Sequence, residues 1–174
     1  KTFNTFMHRN YGRLIHSFQS LLIVVGLSPQ HVPYWEGYSY KIFVTKFIPR
    51  IFWDEKPSDT LGNEFGKRYK ILNNFDRGTS WNMPVLNEFF VNFGLIGVIM
   101  GMFFLGLIFS SVPLFLNYRY DNYLFIITFI TLYPLFFLES HFSLNFGAVL
   151  QTFIFLLIYL YFFKKIFSII KRFF

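Results

Sequence analysis

Positively charged side chains are concentrated in one polar stretch, residues 47–94, which is interrupted by Pro and Gly and leads directly into a long apolar segment. The cations of this stretch include Arg50, Lys56, Lys67, Arg68 and Arg77. A planar guanidinium group donates two parallel hydrogen bonds to a phosphate, so this set is suited to binding a phosphate or a pyrophosphate. The alternative is a general attraction to anionic lipid headgroups, which requires no defined geometry.

Two carboxylates, Glu64 and Glu88, flank the same stretch, and a third, Glu139, lies with His141 in a short turn between apolar segments. If the chain around Glu64 forms a brief helix, Glu64 and Arg68 share a face with the acid nearer the N-terminus, which is the favourable order for an ion pair. A carboxylate near hydrocarbon costs about 2.5–3.5 kcal/mol at a helix centre and less at an interface, so Glu139 indicates a partner or a function. An exposed turn residue at headgroup level is the alternative.

Metal and covalent chemistry find no support in the residue pattern. The chain has no Cys, and its four His residues are scattered without a metal-binding spacing. No Ser lies in a nucleophile elbow, and no Gly-rich phosphate loop precedes a helix. We therefore predict neither a metal ion nor a cofactor.

The composition places the chain in a membrane. Of its 174 residues 54% are hydrophobic, 24% are aromatic and only 14% are charged, which is not the composition of a soluble domain. The 28 Phe residues are best explained as lipid-facing and helix-packing bulk. The formal charge is +7, but the Lys and Arg residues flank apolar segments instead of covering a soluble face, so no nucleic-acid partner is predicted.

The hydrophobic pattern predicts an all-α integral membrane protein that begins with a polar lead and one short helix, residues 1–25. Residues 14–25 have apolar side chains at helical spacing, but they are too few to span a hydrocarbon core about 30 Å thick. An interfacial or re-entrant helix is therefore expected. Residues 26–88 contain Pro and Gly breaks and no spanning stretch, so they are predicted as a long loop with short helices, one of them within residues 62–72.

Residues 89–174 are predicted to form three transmembrane helices and a basic tail. The helices are placed at about residues 95–116, 123–138 and 144–163, with residues 89–93 at the interfacial entry to the first. Gly97 and Gly101 have the spacing that lets helix backbones approach closely. Because cytoplasmic loops are enriched in Lys and Arg, Arg119 and the tail place the first short turn and the C-terminus in the cytoplasm. Three crossings then put residues 26–88 and the turn at Glu139 on the extracytoplasmic side.

Four blocks of polar and aromatic residues follow one another from residue 48 to residue 94. They are Ile-Pro-Arg-Ile-Phe-Trp-Asp-Glu-Lys-Pro at 48–57, Gly-Asn-Glu-Phe-Gly-Lys-Arg-Tyr at 62–69, Thr79-Ser80 with Pro84, and Asn-Glu-Phe-Phe-Val-Asn-Phe-Gly at 87–94. In this order and spacing, and leading into a Gly-rich span, they resemble bacterial oligosaccharide repeat-unit polymerases, the O-antigen and exopolysaccharide polymerase group. The resemblance covers about residues 14–160 and is strongest over residues 48–101.

The resemblance implies a membrane glycosyltransferase with a GT-C-like polytopic helical bundle. Because the chain opens with Lys1, it is expected to be the C-terminal part of such a protein. The enzyme would transfer a growing glycan from a polyprenyl-pyrophosphate carrier onto a lipid-linked repeat unit, outside the bacterial plasma membrane, in the synthesis of O-antigen, capsule or exopolysaccharide. Its expected partners are the lipid-linked oligosaccharide, the bilayer, and the flippase and chain-length regulator of the same pathway.

The resemblance also implies roles for individual residues. Binding of the pyrophosphate or the glycan is expected from Arg50, Asn63, Lys67, Arg68 and Arg77. Arg68 is also expected to be catalytic, through stabilisation of charge during the transfer. Proton acceptance or sugar positioning is expected from Glu64 or Glu88, with Glu139 and His141 as second candidates. Stacking on sugar rings is expected from Trp53, Tyr69 or Trp81, and an interfacial aromatic belt is the alternative for these three.

Two other functions stay open on the sequence. An O-antigen-ligase type of transferase would use the same donor with a different acceptor. A non-enzymatic membrane protein, either a transporter or an assembly subunit, would use the loop as a cap that binds a partner. Transporters often have ionisable groups near the bilayer midplane or inverted repeats, and neither is visible in this sequence.

Overall fold

A computed structural model of the protein describes residues 2–41, 53–55, 61–117 and 122–173. In this part of the chain the regular secondary structure is entirely helical, as the sequence predicts. The α-helices among these residues are α1 (Thr2–Leu27), α2 (Leu61–Arg68), α3 (Val85–Asn117), α4 (Asn122–Leu132) and α5 (Phe142–Phe173). Two 3₁₀ turns, Tyr38–Tyr40 and Tyr133–Phe136, lie in the connections.

Helix α1 is longer than the sequence predicts. The expected helix covered residues 14–25, whereas α1 has 26 residues and includes most of the polar lead. No Pro lies before Pro29, so nothing in the lead stops the helix. The apolar part, Tyr11–Leu27, is still shorter than a membrane-spanning helix, which needs about 20 residues.

The polar stretch has a hydrophobic core of its own. This loop core consists of the buried side chains of Val24, Trp35, Leu61, Phe65, Tyr69, Met83 and Val91. It joins the end of α1, the segment around Trp35, helix α2 and the first turns of α3. Asn87 of α3 also donates a hydrogen bond to Ser20 of α1 at 2.7 Å, and both side chains are buried. The described part of residues 26–88 is therefore a packed unit.

Helix α2 confirms the short helix predicted within residues 62–72, although it ends at Arg68. The helix stops because Lys70 has a left-handed backbone with φ 57°, and the N–H of Ile71 turns back to the carbonyl of Gly66 at 2.8 Å. Gly62 lies where another backbone passes closely. A Cβ atom at this position would be 2.6 Å from the carbonyl oxygen of Trp81.

Helix α3 is broken at Gly94. This residue has φ 65° and ψ −151°, a conformation that residues with a Cβ rarely adopt. The break leaves the carbonyl groups of Val91 and Asn92 without helical partners, and N–H groups of the loop replace them. Trp35 donates to Val91 at 2.8 Å and Glu36 donates to Asn92 at 3.1 Å. The loop is thereby attached to the break in the helix.

The two parts of α3 come close together at this break. Methyl groups at Gly97 or Gly101 would collide with Phe89, which lies in the first part of the helix. The sequence predicts close packing at these two glycines. Their neighbour in the structure is the preceding part of the same helix, because the chain reverses part of its direction at Gly94.

Among the described residues, two helices are long and apolar enough to cross a membrane. They are Val85–Ser111 and Phe142–Phe163, whose most apolar windows have a mean hydropathy of 2.3 and 2.1. In these two windows, 17% and 11% of the residues, respectively, are buried. The apolar side chains therefore face outward, which suits lipid better than the interior of a soluble protein.

The predicted second span, residues 123–138, covers α4 and the following 3₁₀ turn, and its crossing of a membrane stays a prediction. Pro134 lacks a backbone N–H and lies at the start of the 3₁₀ turn, which explains why α4 ends at Leu132. The predicted orientation depends on three crossings, and it stays a prediction.

Candidate functional site

Helix α2 brings three of the predicted site residues to one cavity. Glu64, Lys67 and Arg68 line a cavity of about 510 Å³. The other residues that line it are aromatic: Tyr34, Trp35 and Tyr38. We call this cavity the Arg68 pocket. It combines cations, a carboxylate and flat apolar rings.

The residue pattern of α2 explains this arrangement. Leu61 and Phe65 are buried in the loop core and lie one turn apart. Glu64 is followed three and four residues later by Lys67 and Arg68, so these three side chains lie along the neighbouring face. The helix is thus anchored by its apolar face and presents its charged face to the cavity.

The aromatic wall is held in place by the first part of α3. The segment of the wall already donates two backbone hydrogen bonds to α3, from Trp35 and Glu36. The buried side chain of Asn92 also binds it. Asn92 Oδ1 accepts the N–H of Gly37 at 2.9 Å, and Asn92 Nδ2 donates to Ser39 Oγ at 2.8 Å. The aromatic wall is not among the site residues predicted from the sequence. Its signal in the sequence is three aromatic residues within five positions, directly after Pro33.

Arg68 is oriented by contacts on the floor of the pocket. One of its terminal nitrogens donates to the carbonyl of Pro33 at 2.7 Å. Its guanidinium carbon lies 5.9 Å from the ring centre of Trp35, within the range of a cation–π contact. Its Nε atom is buried and has no hydrogen-bond partner in the described part of the chain.

Glu64 acts electrostatically on the aromatic wall. The carboxylate raises the pKa of the Tyr38 phenol by its negative charge, with smaller contributions from burial and from a hydrogen bond between the two side chains. Tyr38 therefore stays protonated as a hydrogen-bond donor. The two cations and one carboxylate give the pocket a net positive charge, which favours an anionic group.

Glu139 and Trp81 line a different cavity. It also has a volume of about 510 Å³, and we call it the Glu139 cavity. Its described lining residues are Arg13, His16, Ser17, Ser80, Trp81, Asn82, Phe137, Glu139 and Ser140. Glu64 and Glu139 are both predicted candidates for proton acceptance, and in the structure they line two cavities without a common described lining residue.

Glu88 is fully buried, with 0% of its surface exposed, and lies in the junction between α3 and α5. Its Oε2 accepts the N–H of Ser143 in the first turn of α5 at 3.0 Å. A carboxylate in this position accepts a hydrogen bond from an N–H group that has no partner within the helix, and the positive end of the helix dipole stabilises its negative charge. His141, just before α5, is also buried. Glu88 thereby joins α3 to the first turn of α5.

Tyr69, Asn63 and Arg77 also have defined positions. The ring of Tyr69 is 2% exposed in the loop core and its hydroxyl bonds Ser28 Oγ at 2.7 Å, so it is not available for stacking on a sugar. Asn63 donates to the carbonyl groups of Asp76 and Thr79 at 3.0 and 2.7 Å, so it holds a turn. Arg77 is exposed on that turn.

The structure describes one of three further predicted residues. Trp53 is half-buried and does not line either cavity. Arg50 and Lys56 lie outside the described residues. Among the described residues, no group of His, Asp and Glu side chains is arranged to bind a metal ion. No protein-family model, curated protein or solved structure matches this chain.

Proposed function

We propose that this protein is a membrane glycosyltransferase that extends oligosaccharides carried on polyprenyl pyrophosphate, and that the Arg68 pocket binds the pyrophosphate end of the donor. The observation that carries the proposal is the convergence of Glu64, Lys67 and Arg68 with three aromatic side chains on one cavity. These residue types match the parts of the donor, since cations bind the phosphates and aromatic rings pack on a sugar.

The proposed reaction uses each charged group of the pocket once. A hydroxyl oxygen of the acceptor sugar attacks the anomeric carbon of the donor and forms the new glycosidic bond. The bond from that carbon to the pyrophosphate oxygen breaks, and its electron pair leaves with the oxygen. Lys67 and Arg68 stabilise the negative charge on the departing pyrophosphate, and Glu64 accepts the proton of the attacking hydroxyl.

The proposal places this pocket at the outer surface of a bacterial plasma membrane. Two apolar helices of spanning length support attachment to a bilayer. A multi-pass GT-C-like bundle, an extracytoplasmic position of residues 26–88 and a cytoplasmic C-terminus complete the proposed arrangement. The flippase and the chain-length regulator of the same pathway are its proposed partners.

The test is chain growth by the full-length protein in lipid nanodiscs supplied with a polyprenyl-pyrophosphate-linked oligosaccharide. Arg68→Ala is expected to reduce elongation at least about a hundredfold, because it removes donors that face the developing charge. Lys70→Ala is the matched control. Lys70 lies two residues after Arg68, and its side chain is exposed and does not line the pocket. The control therefore removes a nearby positive charge from outside the proposed site.

Equal elongation by wild type and Arg68→Ala would refute the proposal. The products also separate the polymerase from the ligase type of transferase. Growth of the glycan on its carrier identifies a polymerase, whereas transfer only to a second glycolipid identifies a ligase. Solute flux into proteoliposomes without any glycan product would indicate a transporter.

A further inference from the structure

We infer that the Glu139 cavity binds the headgroup of a zwitterionic phospholipid, one that carries a phosphate and a primary ammonium group. The cavity has a volume of about 510 Å³, within the range of small-ligand sites, which is about 300–1,000 Å³. It lies where α1, the segment before α3 and the turn before α5 meet. None of its described lining residues lines the Arg68 pocket, so this site is independent of the proposed transfer reaction.

One permanent cation and one carboxylate line this cavity from different elements. Arg13 belongs to α1 and Glu139 to the turn before α5, and both side chains are exposed. A ligand with only a phosphate would be attracted by Arg13 but repelled by Glu139, and a ligand with only an ammonium group would meet the reverse. A zwitterion has one group for each residue, because its phosphate accepts hydrogen bonds from the guanidinium and its ammonium donates to the carboxylate.

The indole of Trp81 adds a second contact for the ammonium group. Trp81 is half-buried and lines the cavity, and an indole ring attracts a cation more strongly than a phenol or phenyl ring. The ring meets His16 edge to face with centroids 5.8 Å apart, and the backbone N–H of Trp81 donates to the carbonyl of Gly62 at 3.2 Å. The side-chain amide of Asn82 donates to the backbone carbonyl of Glu139. The groups that bind the ammonium are therefore held together before a ligand enters.

Exposed apolar side chains adjoin the polar groups of the cavity. Arg13 and Ser17 lie one turn apart on the face of α1 that lines the cavity. On the neighbouring face of α1, Leu14 and Phe18 are each 61% exposed, and Phe137 in the cavity wall is 51% exposed. A polar cavity beside exposed apolar side chains matches an amphiphile, whose headgroup fills the cavity while its acyl chains cover the apolar surface. The ligand is therefore a lipid and not a free phosphate ester.

The test measures lipid binding to the detergent-solubilised full-length protein by native mass spectrometry. The probes are phosphatidylethanolamine, its N-methyl and N,N-dimethyl derivatives, phosphatidylcholine and phosphatidylglycerol, all with the same acyl chains. Along the methylated series the charge of the headgroup stays constant while its N–H donors are removed one by one. We expect the wild type to bind phosphatidylethanolamine about tenfold more tightly than phosphatidylcholine, because only the former donates hydrogen bonds to Glu139. Phosphatidylglycerol, which has no ammonium group, is expected to bind more weakly than phosphatidylethanolamine.

Two variants separate the two ends of the headgroup. Glu139→Gln is expected to reduce the preference for phosphatidylethanolamine over phosphatidylcholine to below about twofold, because it removes the charge that the ammonium group meets. Arg13→Gln is expected to weaken both lipids about tenfold and to keep their ratio, because both share the phosphate. Both replaced side chains are exposed, so neither variant disturbs a core. Glu55→Gln is the matched control, since Glu55 is an exposed carboxylate that lines neither cavity, and it should leave the ratio unchanged.

Glycerophosphoethanolamine has the same headgroup without acyl chains, so it separates a lipid from a soluble phosphate ester. Its affinity is expected to be at least about a hundredfold lower, because it leaves the apolar side chains uncovered. Four results would overturn the inference. They are equal binding of phosphatidylethanolamine and phosphatidylcholine to the wild type, tighter binding of phosphatidylglycerol than of phosphatidylethanolamine, an undiminished preference in Glu139→Gln, and equal affinity for glycerophosphoethanolamine and the lipid.

Discussion

Replacing Asn92 with Ala is expected to loosen the aromatic wall of the Arg68 pocket. The Asn92 side chain is fully buried and binds the loop through Gly37 and Ser39, and its Nδ2 also donates to the carbonyl of Glu88 at 2.7 Å. Ala keeps none of these three hydrogen bonds. The two backbone bonds of the loop to α3 remain, so the wall opens more often but stays near the helix.

The magnitude follows from the two bonds that reach the loop, because the bond to Glu88 lies within α3. Loss of the bond to Ser39 costs about 1 kcal/mol net, and the N–H of Gly37 left without an acceptor costs about 1–3 kcal/mol. We therefore expect the free energy of opening the segment around Gly37 to fall by about 3 kcal/mol. Since 1.4 kcal/mol corresponds to a factor of ten, the open population rises roughly a hundredfold.

Hydrogen–deuterium exchange with mass spectrometry in nanodiscs measures this population directly. Peptides that cover residues 33–41 are expected to exchange roughly a hundredfold faster in Asn92→Ala, while peptides from residues 100–111 stay unchanged. Asn73→Ala is the matched control, because the exposed Asn73 side chain accepts one hydrogen bond, from the N–H of Phe75 at 3.1 Å. A change below about threefold at residues 33–41, or an equal change in the control, would refute the reasoning.

Two further predictions concern α2 and its neighbouring turn. Gly62→Ala places a Cβ atom 2.6 Å from the carbonyl oxygen of Trp81, so we expect a loss of about 1–3 kcal/mol in chemical unfolding. Gly12→Ala, in α1 with no atom near the added group, is the control and should be neutral or stabilising; equal losses in both variants would contradict the explanation. Hydrogen bonds from the side chain and N–H of Thr79 and from the N–H of Gly78 lower the pKa of Asp76. A lowered folded-state pKa stabilises the turn above the usual pKa of an aspartate, and this contribution disappears as the pH falls through the folded-state value. The NMR shift of the Thr79 amide should therefore change below about pH 4 in the wild type and stay constant in Asp76→Asn; titration of both would show that another group is responsible.

The parts of the fold that sequence reasoning predicts are those that local pattern determines. The apolar run after Gly94 and the apolar run within α5 are each long enough to indicate a spanning helix without knowledge of their neighbours. The grouping of Glu64 with Arg68 follows in the same way from the helical repeat. Pro134 is a local signal of the same kind, because it ends the α-helix at Leu132 and begins the 3₁₀ turn.

The parts that sequence reasoning misses depend on contacts between distant residues. The three aromatic residues after Pro33 are visible in the sequence, but nothing in the local pattern states that Trp35 binds a carbonyl group at Val91 and so brings them to the site. The burial of Glu88 is equally hidden, because the N–H that it accepts belongs to Ser143, which lies 55 residues later. The separation of Glu64 from Glu139 likewise requires the path of α1, which forms one side of the second cavity.

Because α3 is broken at Gly94, the bilayer and the loop core hold different parts of one helix. A membrane thicker or thinner than the apolar length of residues 95–111 is accommodated by tilting that part, at a cost of a fraction of a kcal/mol per Å of mismatch. The tilt pivots at Gly94, so Val91 and Asn92, whose carbonyl groups hold Trp35 and Glu36, lie on the loop-core side of the break. The break thereby acts as a joint between the loop core and the following part of the helix, and we expect the Arg68 pocket to keep its shape in bilayers of different thickness.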